Sequence, residues 1–333
     1  MRRCLRLLAT AVLAATILLT LAPANALATH VSCGDTIATD TTLDSDLIDC
    51  PGDGIVIGAD NIIFDLNGHT IDGTGSSGDG VANVAHLGAT IEGGTIQGFS
   101  VGVRLGTCSP PAGCPSGDIL PSADGNTVRS LTIAGNGVAI VLAKTVHNVI
   151  RKNQLVDNRF GIFVGGDRFV FTGDTLITKN VISTTVGAAI TTDRTQFETY
   201  VIRNRISIPP GAEGIGAGFG SIHIERNWIS GGDWGMYLGR GDGPVIKNHV
   251  SNARIDGIYT DLWSGSEFVG NVATNNGDDG IEISAETGVV LTRNTSNDNG
   301  DFGIEAVPGV TDGGGNKASG NGNPLQCLNV FCR

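Results

Sequence analysis

The sequence predicts an all-β fold in which short parallel strands stack into a solenoid. Three observations favour it: 50 glycines among 333 residues, short apolar runs separated by Gly, Asn and Asp, and a repeat of about 22 to 23 residues along most of the chain. Apolar residues form 40% of the chain, which is enough for a sizeable core and argues against disorder. The net charge of -12 argues against a nucleic-acid partner.

The first 28 residues have the pattern of a secretory signal peptide. Arg2 and Arg3 precede an apolar stretch over 5–21, and small residues suited to cleavage follow at Ala26 and Ala28. An uncleaved anchor is the alternative, but the stretch is short and the cleavage signals are good. No other stretch approaches the roughly 18 to 20 apolar residues that a membrane helix needs. We therefore expect a secreted protein with no membrane span after cleavage at 26 or 28.

Six cysteines follow this leader, in three close pairs. Six cysteines allow 15 connectivities, and nearest-neighbour pairing is favoured because each pair closes a short loop in a chain expected to be exported. Metal binding by these thiols is the alternative, although no C-x-x-C spacing is present. The predicted disulfides are Cys33 with Cys50, Cys108 with Cys114, and Cys327 with Cys332.

The repeat contains an Asn column and a Gly column. One copy reads N-x-I-x-x-N-x-L at 148–155 and G-I-x-V at 161–164, where alternation turns Ile162 and Val164 inward and Phe163 outward. Such short strands cannot stand alone, so they should pair with equivalent strands of neighbouring coils about 4.8 Å away. Amides of the Asn column should then form a hydrogen-bonded ladder. That column is Asn153, Asn180, Asn204, Asn227, Asn248, Asn271, Asn294 and Asn316.

The Gly column supplies corners where a side chain would not fit. Its predicted members are Gly161, Gly187, Gly214, Gly235, Gly257, Gly280 and Gly303. We expect both ends of the solenoid to be capped, which would cover the open sheet edges and prevent them from pairing with another molecule. The protein is therefore expected to be a monomer. The predicted organisation is a signal peptide at 1–28, an N-terminal cap at 29–54, a parallel β-helix of about 11 coils at 55–323, and a C-terminal cap or tail at 324–333.

This repeat resembles that of the right-handed parallel β-helix family, which includes NosD-type periplasmic proteins and extracellular pectate-lyase-like proteins. The resemblance covers most of the mature chain and implies a single-stranded right-handed β-helix. It specifies the fold more than the function, because one scaffold hosts many activities. The copper chemistry suggested by the NosD name lacks support in the sequence, since the six His are scattered without ligand spacing.

Function is expected on the outward face of the strand written G-I-x-V. The longest insertions all follow this strand, so they should form a lip beside it and leave a groove suited to an extended polymer. The insertions are 106–124, 165–174, 192–199, 239–243, 261–267 and 284–288. The outward column of the same strand is predicted to be Arg104, Phe163, Ala189, Gly216, Tyr237, Tyr259, Glu282 and Glu305.

Aromatic residues concentrate in two neighbouring coils of this face. The chain has three Trp and three Tyr, and Trp234, Tyr237, Tyr259 and Trp263 all belong to these coils. We predict that these four residues, with Glu282, contact a polysaccharide. Ordinary cross-strand packing of aromatic residues is the alternative.

Carboxylates in the same coils provide candidate acid and base groups. Asp278, Asp279 and Asp261 lie next to the column, and paired carboxylates can act on a glycosidic bond or bind Ca²⁺. The sequence G-D-D-G at 277–280 is similar to the paired-aspartate element of polygalacturonases, whose other motifs are missing. Solvated turn aspartates are the alternative. No metal ligand set is assigned, and Ca²⁺ is the one cofactor that the pattern leaves open.

Two arginines beside carboxylates provide a different catalytic pattern. Arg194 adjoins Asp193, and Arg240 lies near Asp242 on the predicted lip. A base paired with a neutralising group is what a lyase acting on uronates requires. The sequence thus predicts a secreted protein that binds an extracellular polysaccharide and, if an enzyme, is a lyase, a glycoside hydrolase or an epimerase. A non-enzymatic scaffold at the cell surface or wall is the alternative.

Overall fold

The computed structural model describes residues 30–75, 77–107, 123–165, 172–285 and 288–333. These residues fold as a right-handed parallel β-solenoid of about 12 turns without helices. No described helix is therefore long or apolar enough to cross a bilayer. The predicted signal peptide and the Cys108 and Cys114 pair lie outside the described residues.

Each coil contributes one strand to each of three parallel sheets, here called A, B and C. Sheet A contains Asp35–Ile37, Ile55–Ile57, Asp79–Asn83, Val101–Gly106, Val138–Ala143, Phe160–Gly165, Ile190–Asp193, Glu213–Glu225, Trp234–Asp242, Ile258–Ser264, Ile281–Ile283, Ile304–Ala306 and Cys327–Leu328. Sheet B contains Thr41–Thr42, Ile63–Asp65, Thr90–Glu92, Thr127–Arg129, Val149–Arg151, Leu176–Thr178, Thr199–Ile202, the second half of Glu213–Glu225, Val245–Ile246, Glu267–Val269, Val290–Thr292 and Thr311–Gly314. Sheet C contains Leu47–Cys50, Thr70–Gly73, Thr95–Gln97, Thr132–Ala134, Gln154–Asn158, Val181–Thr184, Arg205–Ile208, Trp228–Gly231, His249–Ser251, Val272–Thr274, Thr295–Asn297 and Lys317–Ser319.

Strand alternation builds a core along the axis of the solenoid. In Phe160–Gly165 the side chains of Ile162 and Val164 are buried and that of Phe163 is half-buried, as predicted. Equivalent residues of consecutive coils are paired directly, so Ile281 lies beside Ile304 in the same register. Burial of these aliphatic columns provides the main driving force for folding.

The predicted Asn ladder is confirmed. Asn153 donates two hydrogen bonds to the Oδ1 atom of Asn180, one from its backbone N–H at 3.0 Å and one from its side-chain Nδ2 at 3.1 Å. The same two bonds recur from coil to coil as far as Asn316. The residue before each rung turns the corner with a left-handed backbone, as at Lys152 with φ 57° and Arg226 with φ 55°. The ladder satisfies buried amides at a corner where the sheets cannot.

The predicted N-terminal cap is instead the first coil. Asp35–Ile37 pairs with Ile55–Ile57 in sheet A, and the strands that follow pair in sheets B and C. The coil count is therefore about 12 rather than 11. Two predicted disulfides are confirmed near the two ends, Cys33–Cys50 with Cα atoms 5.3 Å apart and Cys327–Cys332 with Cα atoms 6.1 Å apart.

One coil departs from the predicted columns. Leu155 pairs with Ile182 and Ile162 with Ile190, so the segment that leads to Ile190 is one residue longer than the equivalent segment of the preceding coil. The extra residue places Ala189 where Gly187 was expected in the Gly column. It also places Thr191, paired with Phe163, where Ala189 was expected in the outward column. Ala189 is fully buried.

Candidate functional site

Three aromatic side chains form a contiguous group on the outward face of sheet A, here called the aromatic step. Tyr237 and Tyr259 pair in register on consecutive coils. Their ring centroids lie 5.3 Å apart and their planes are inclined by 24°. Trp234 meets Tyr237 edge-on at 5.4 Å and lies 6.3 Å from Tyr259. All three side chains are half-buried, so the step is part of the surface.

Glycines in the turn before sheet A let these coils approach closely. A Cβ atom on Gly257 would lie 2.6 Å from the carbonyl oxygen of Gly280, and one on Gly280 would lie 2.7 Å from that of Gly303. Any side chain there would push the coils apart. The glycines therefore hold the residues on either side of them, including Asp256, Asp279 and Glu282, one coil spacing apart.

Carboxyl groups lie beside the aromatic step and contact one another between coils. Asp256 hydrogen-bonds through its side chain to Glu282 of the next coil. Asp279 does the same with Glu305, one coil further on. Here Asp256, Asp279, Glu282 and Glu305 are called the carboxyl cluster. A hydrogen bond between two carboxyl groups needs a proton on one of them.

Fixed donors orient the two buried members of the cluster. Asp256 accepts hydrogen bonds from the indole Nε1 of Trp234 at 3.2 Å and from the backbone N–H of Asp279 at 3.0 Å. Asp279 accepts one from the backbone N–H of Phe302 at 2.7 Å. Trp234 thus links the aromatic step directly to the carboxyl cluster.

Burial and mutual repulsion raise the pKa values of three carboxyl groups here, Asp256, Asp279 and Glu282. Burial raises the pKa of Glu282 to about 7, and the nearby charges of Asp256 and Glu305 contribute. Burial also raises the pKa of Asp256. The pKa of Asp279 lies well above its usual range because of burial and its hydrogen bond to Glu305. A carboxyl group that keeps its proton near neutral pH can act as a general acid.

Carboxylates also lie on the other sides of the aromatic step. The carboxyl group of Glu213 lies over Gly216, where a side chain of the outward column would otherwise be. Burial raises the pKa of Tyr237, and the charges of Asp261 and Glu213 raise it further. The step is thus flanked by carboxyl groups on both neighbouring coils.

Two overlapping triads bring carboxylate oxygens within 4.8 Å of one another: Asp256 with Asp279 and Glu282, and Asp278 with Asp279 and Asp301. A hard cation such as Ca²⁺ takes ligands of this type. Of the two predicted catalytic aspartates here, Asp278 is exposed and Asp279 is 2% exposed. Glu282, which is half-buried, therefore reaches the surface better than Asp279.

The structure corrects the placement of Trp263. This residue was expected beside Tyr259 on the substrate surface, but its side chain is fully buried and its Nε1 donates to the carbonyl of Gly243 at 3.1 Å. In the pairing of Trp234–Asp242 with Ile258–Ser264, Leu238 pairs with Thr260 and Arg240 pairs with Leu262. Gly239 and Asp261, which lie between these two pairs, do not pair with each other. This break reverses the inward and outward alternation, which turns Trp263 into the core. Most residues of the insertions expected at 239–243 and 261–267 therefore belong to strands.

Asp193, Arg194 and Arg240 lie at the opposite edge of the sheet A face. Asp193 is 3.8 Å from the guanidinium of its neighbour Arg194 and accepts a hydrogen bond from the backbone N–H of Phe219 at 3.4 Å. Arg240 lies over the ring of Phe219, with its Cζ 5.6 Å from the ring centroid. Phe219 and Arg240 line an open cleft of about 670 Å³. Of the six predicted catalytic residues, three thus lie at this edge, and Asp278 and Asp279 lie at the other edge. Asp261 is close enough to Tyr237 for its charge to raise the pKa of that residue.

Three residues of this site lie outside the predicted catalytic and substrate-binding set: Asp256, Glu213, and Glu305, which was predicted only as part of the outward column. A signal for two of them exists in the repeat. Asp256 precedes Gly257 as Asp279 precedes Gly280, and Glu305 follows Gly303 as Glu282 follows Gly280. Glu213 has no such signal, because its position depends on how its side chain folds over Gly216.

Comparison with known families identifies the chain. The family model described as "Periplasmic copper-binding protein (NosD)" matches residues 35–220, more than half of the chain. The chain belongs to the NosD family. The model described as "Right handed beta helix region" matches residues 195–329. A comparison with curated proteins found no match.

Solved structures similar to this NosD-family chain are β-helix proteins of low sequence identity. A mutant of the periplasmic alginate epimerase AlgG is 12% identical, with a TM-score of 0.52, over 90% of this chain and 79% of that chain. The exopolygalacturonase from Thermotoga maritima is 11% identical, with a TM-score of 0.47, over 90% of this chain and 84% of that chain. At these identities the likeness concerns the fold.

The copper in the NosD family name requires suitable ligands. Copper favours imidazole and soft sulfur ligands, whereas carboxylates suit hard cations. Within the described ranges, the places where three or more His, Cys, Asp or Glu ligand atoms converge contain only carboxylates. Of the described histidines, His69 and His86 each lie beside a single carboxylate, at 3.1 Å from Asp46 and 3.2 Å from Asp60, and His249 stacks on Trp228. The described residues do not fit copper.

Proposed function

We propose that this protein is exported and binds an extended polysaccharide along the outward face of sheet A. The stacked pair Tyr237 and Tyr259, joined to Trp234, is the observation that supports this proposal most strongly. Aromatic side chains with exposed edges and polar tips suit sugars, which present both C–H groups and hydroxyls. The two disulfides support export, because such bonds persist in oxidising compartments.

The carboxyl cluster supplies the chemistry for hydrolysis of the bound chain. Glu282, with its pKa raised to about 7, is the proposed acid. It would give its proton to the glycosidic oxygen as the bond from that oxygen to the anomeric carbon breaks. Glu305, on the next coil, would take a proton from the water whose oxygen bonds to the anomeric carbon. Asp279 and Asp256 hold these two groups in place through hydrogen bonds.

Binding to a glycan array tests the proposal. We expect the native protein to bind at least one class of polysaccharide, and Tyr237→Ala and Tyr259→Ala each to weaken that binding by about tenfold or more. Tyr200→Ala is the matched control, because Tyr200 lies on sheet B beside His223, away from the step. Absence of binding to any glycan, or equal binding by all variants, would favour the scaffold alternative.

An assay of the products separates binding from cleavage. Hydrolysis releases reducing ends, whereas a lyase acting on a uronate polymer also produces an unsaturated sugar that absorbs near 235 nm. If Glu282 is the acid, Glu282→Gln removes the release of reducing ends and leaves binding within about threefold. Binding without any new products would limit the function to recognition.

A further inference from the structure

The face that carries the aromatic step contains many acidic residues and no basic ones. Five segments form this face and its leading turn in consecutive coils: 211–218, 233–239, 256–261, 278–284 and 301–307. Together they contain nine Asp and Glu residues and no Lys, Arg or His. The acidic residues are Glu213, Asp233, Asp256, Asp261, Asp278, Asp279, Glu282, Asp301 and Glu305.

Cations that contact this face come from its edges. Arg254 forms a bidentate pair with Asp233, with both nitrogen to oxygen distances at 2.7 Å. This pair holds the pKa of Asp233 at about 2. Arg240 lies over Phe219 at the far edge. The pKa values of Asp256, Asp279 and Glu282 in the carboxyl cluster are raised by burial and by like charge, and neither arginine is among the groups that shift them.

These carboxylates surround the aromatic step instead of forming a separate patch. Glu213 lies over Gly216 on the coil before Tyr237, and Glu282 pairs in register with Tyr259 on the coil after it. Asp261 raises the pKa of Tyr237 through its charge. A sugar resting against either tyrosine therefore has carboxyl groups on both sides along the rod axis.

We infer that the bound polysaccharide is a polymer of amino sugars with free, positively charged amino groups. The inference rests on the proposed function and specifies its substrate class. An ammonium group can donate charge-assisted hydrogen bonds to a carboxylate and is attracted to the faces of aromatic rings. Its charge also favours the ionised form of Glu282, whose pKa without a bound cation is about 7. A uronate chain brings one negative charge per sugar to a face of the same sign, and such like-charge contacts are unfavourable.

Matched hexasaccharides test this inference with the full mature chain. The probes are β-1,4-linked glucosamine, its N-acetylated form of equal length, and galacturonate, each titrated calorimetrically with and without Ca²⁺. We expect glucosamine to bind at least about tenfold tighter than the acetylated form, and the preference to shrink as salt rises. Glu213→Gln and Asp261→Asn should reduce that preference, because each removes a carboxyl group beside the step.

Two variants distinguish a specific site from general attraction to an acidic protein. Tyr237→Ala keeps every charge and should still weaken glucosamine binding, whereas Glu267→Gln removes an exposed charge on sheet B and should not. Equal affinity for the free and acetylated glucosamine chains, or tighter binding of galacturonate in Ca²⁺, overturns the inference. The proposed function still stands in either case if Tyr237→Ala weakens the binding that is observed. Binding of none of the probes, together with a negative glycan array, overturns both.

Discussion

Asp256 and Glu282 hydrogen-bond to each other across consecutive coils although both side chains are carboxylic acids. Their contact requires a shared proton, so part of the native structure depends on a group that ionises near neutral pH. Asp279 and Glu305 repeat the arrangement one coil further along. The surface of sheet A is therefore expected to respond to pH near neutrality.

We expect the free energy of unfolding to fall as the pH rises from about 4.5 to about 7. Glu282 has a pKa of about 7 in the folded chain against an ordinary value of 4.5. It binds its proton more tightly when folded, so its contribution to stability is fully present below pH 4.5 and is lost as the pH passes through 7. Glu282→Gln should make this decrease smaller, because an amide can still donate to Asp256 but does not titrate.

Urea denaturation at pH 5, 6, 7 and 8 measures this dependence. Glu267→Gln serves as the control, since Glu267 is exposed on sheet B. An identical pH profile for the native chain and the Glu282→Gln variant would contradict the assignment of a raised pKa to Glu282.

Asn227→Leu is expected to lower the free energy of unfolding by about 1 to 3 kcal/mol. Asn227 is fully buried, and its Nδ2 donates to Asn248 Oδ1 at 3.0 Å and to the carbonyl of Val201 at 2.7 Å. Leucine removes both of these donors, and it also leaves the backbone N–H and Nδ2 of Asn204 without their acceptor, Asn227 Oδ1. Gln154→Leu is the matched control, because Gln154 is an exposed amide one residue beyond a rung. Equal melting curves for the two variants would show that the ladder contributes little.

Trp263→Ala is expected to lower the free energy of unfolding by about 3 to 5 kcal/mol, because it leaves a large cavity in the core. Trp263 is fully buried, whereas Trp228 is 58% exposed on sheet C. Trp228→Ala, its control, should cost less than about 1 kcal/mol. Thermal or urea denaturation measures both. If Trp263→Ala instead weakened polysaccharide binding at unchanged stability, its placement in the core would be wrong.

Thiol labelling of the unfolded, unreduced mature chain should find no free cysteine. The structure pairs Cys33 with Cys50 and Cys327 with Cys332, and the pairing of Cys108 with Cys114 stays a prediction. Peptide mapping without reduction should recover all three cross-linked pairs. A labelled cysteine at any of the six positions would contradict the corresponding bridge.

Much of the fold could be predicted because the repeat period determines which residues become neighbours. Asn153 and Asn180 are 27 residues apart, yet a stacked solenoid brings them into hydrogen-bonding contact. The same argument placed Tyr237 beside Tyr259. These relationships follow from register alone.

Features that depend on departures from the period could not be predicted. Trp263 turns inward because the inward and outward alternation reverses where Gly239 and Asp261 do not pair. A strictly alternating pattern does not predict that reversal. Ala189 is displaced from the outward column by one extra residue in the segment that leads to Ile190. The bond between Asp256 and Glu282 depends on how two side chains lean between coils, which register does not specify.

The Asn ladder also determines how the rod can change in evolution. Because Asn227, Asn248 and Asn271 make the same two bonds to the next rung, a gene segment encoding one full turn can be duplicated or deleted without leaving an unmatched interface. Each duplication would lengthen the molecule by about 4.8 Å. Under the proposed function, copy number would set in whole steps how many sugar units the surface accommodates, independently of the chemistry in any single turn.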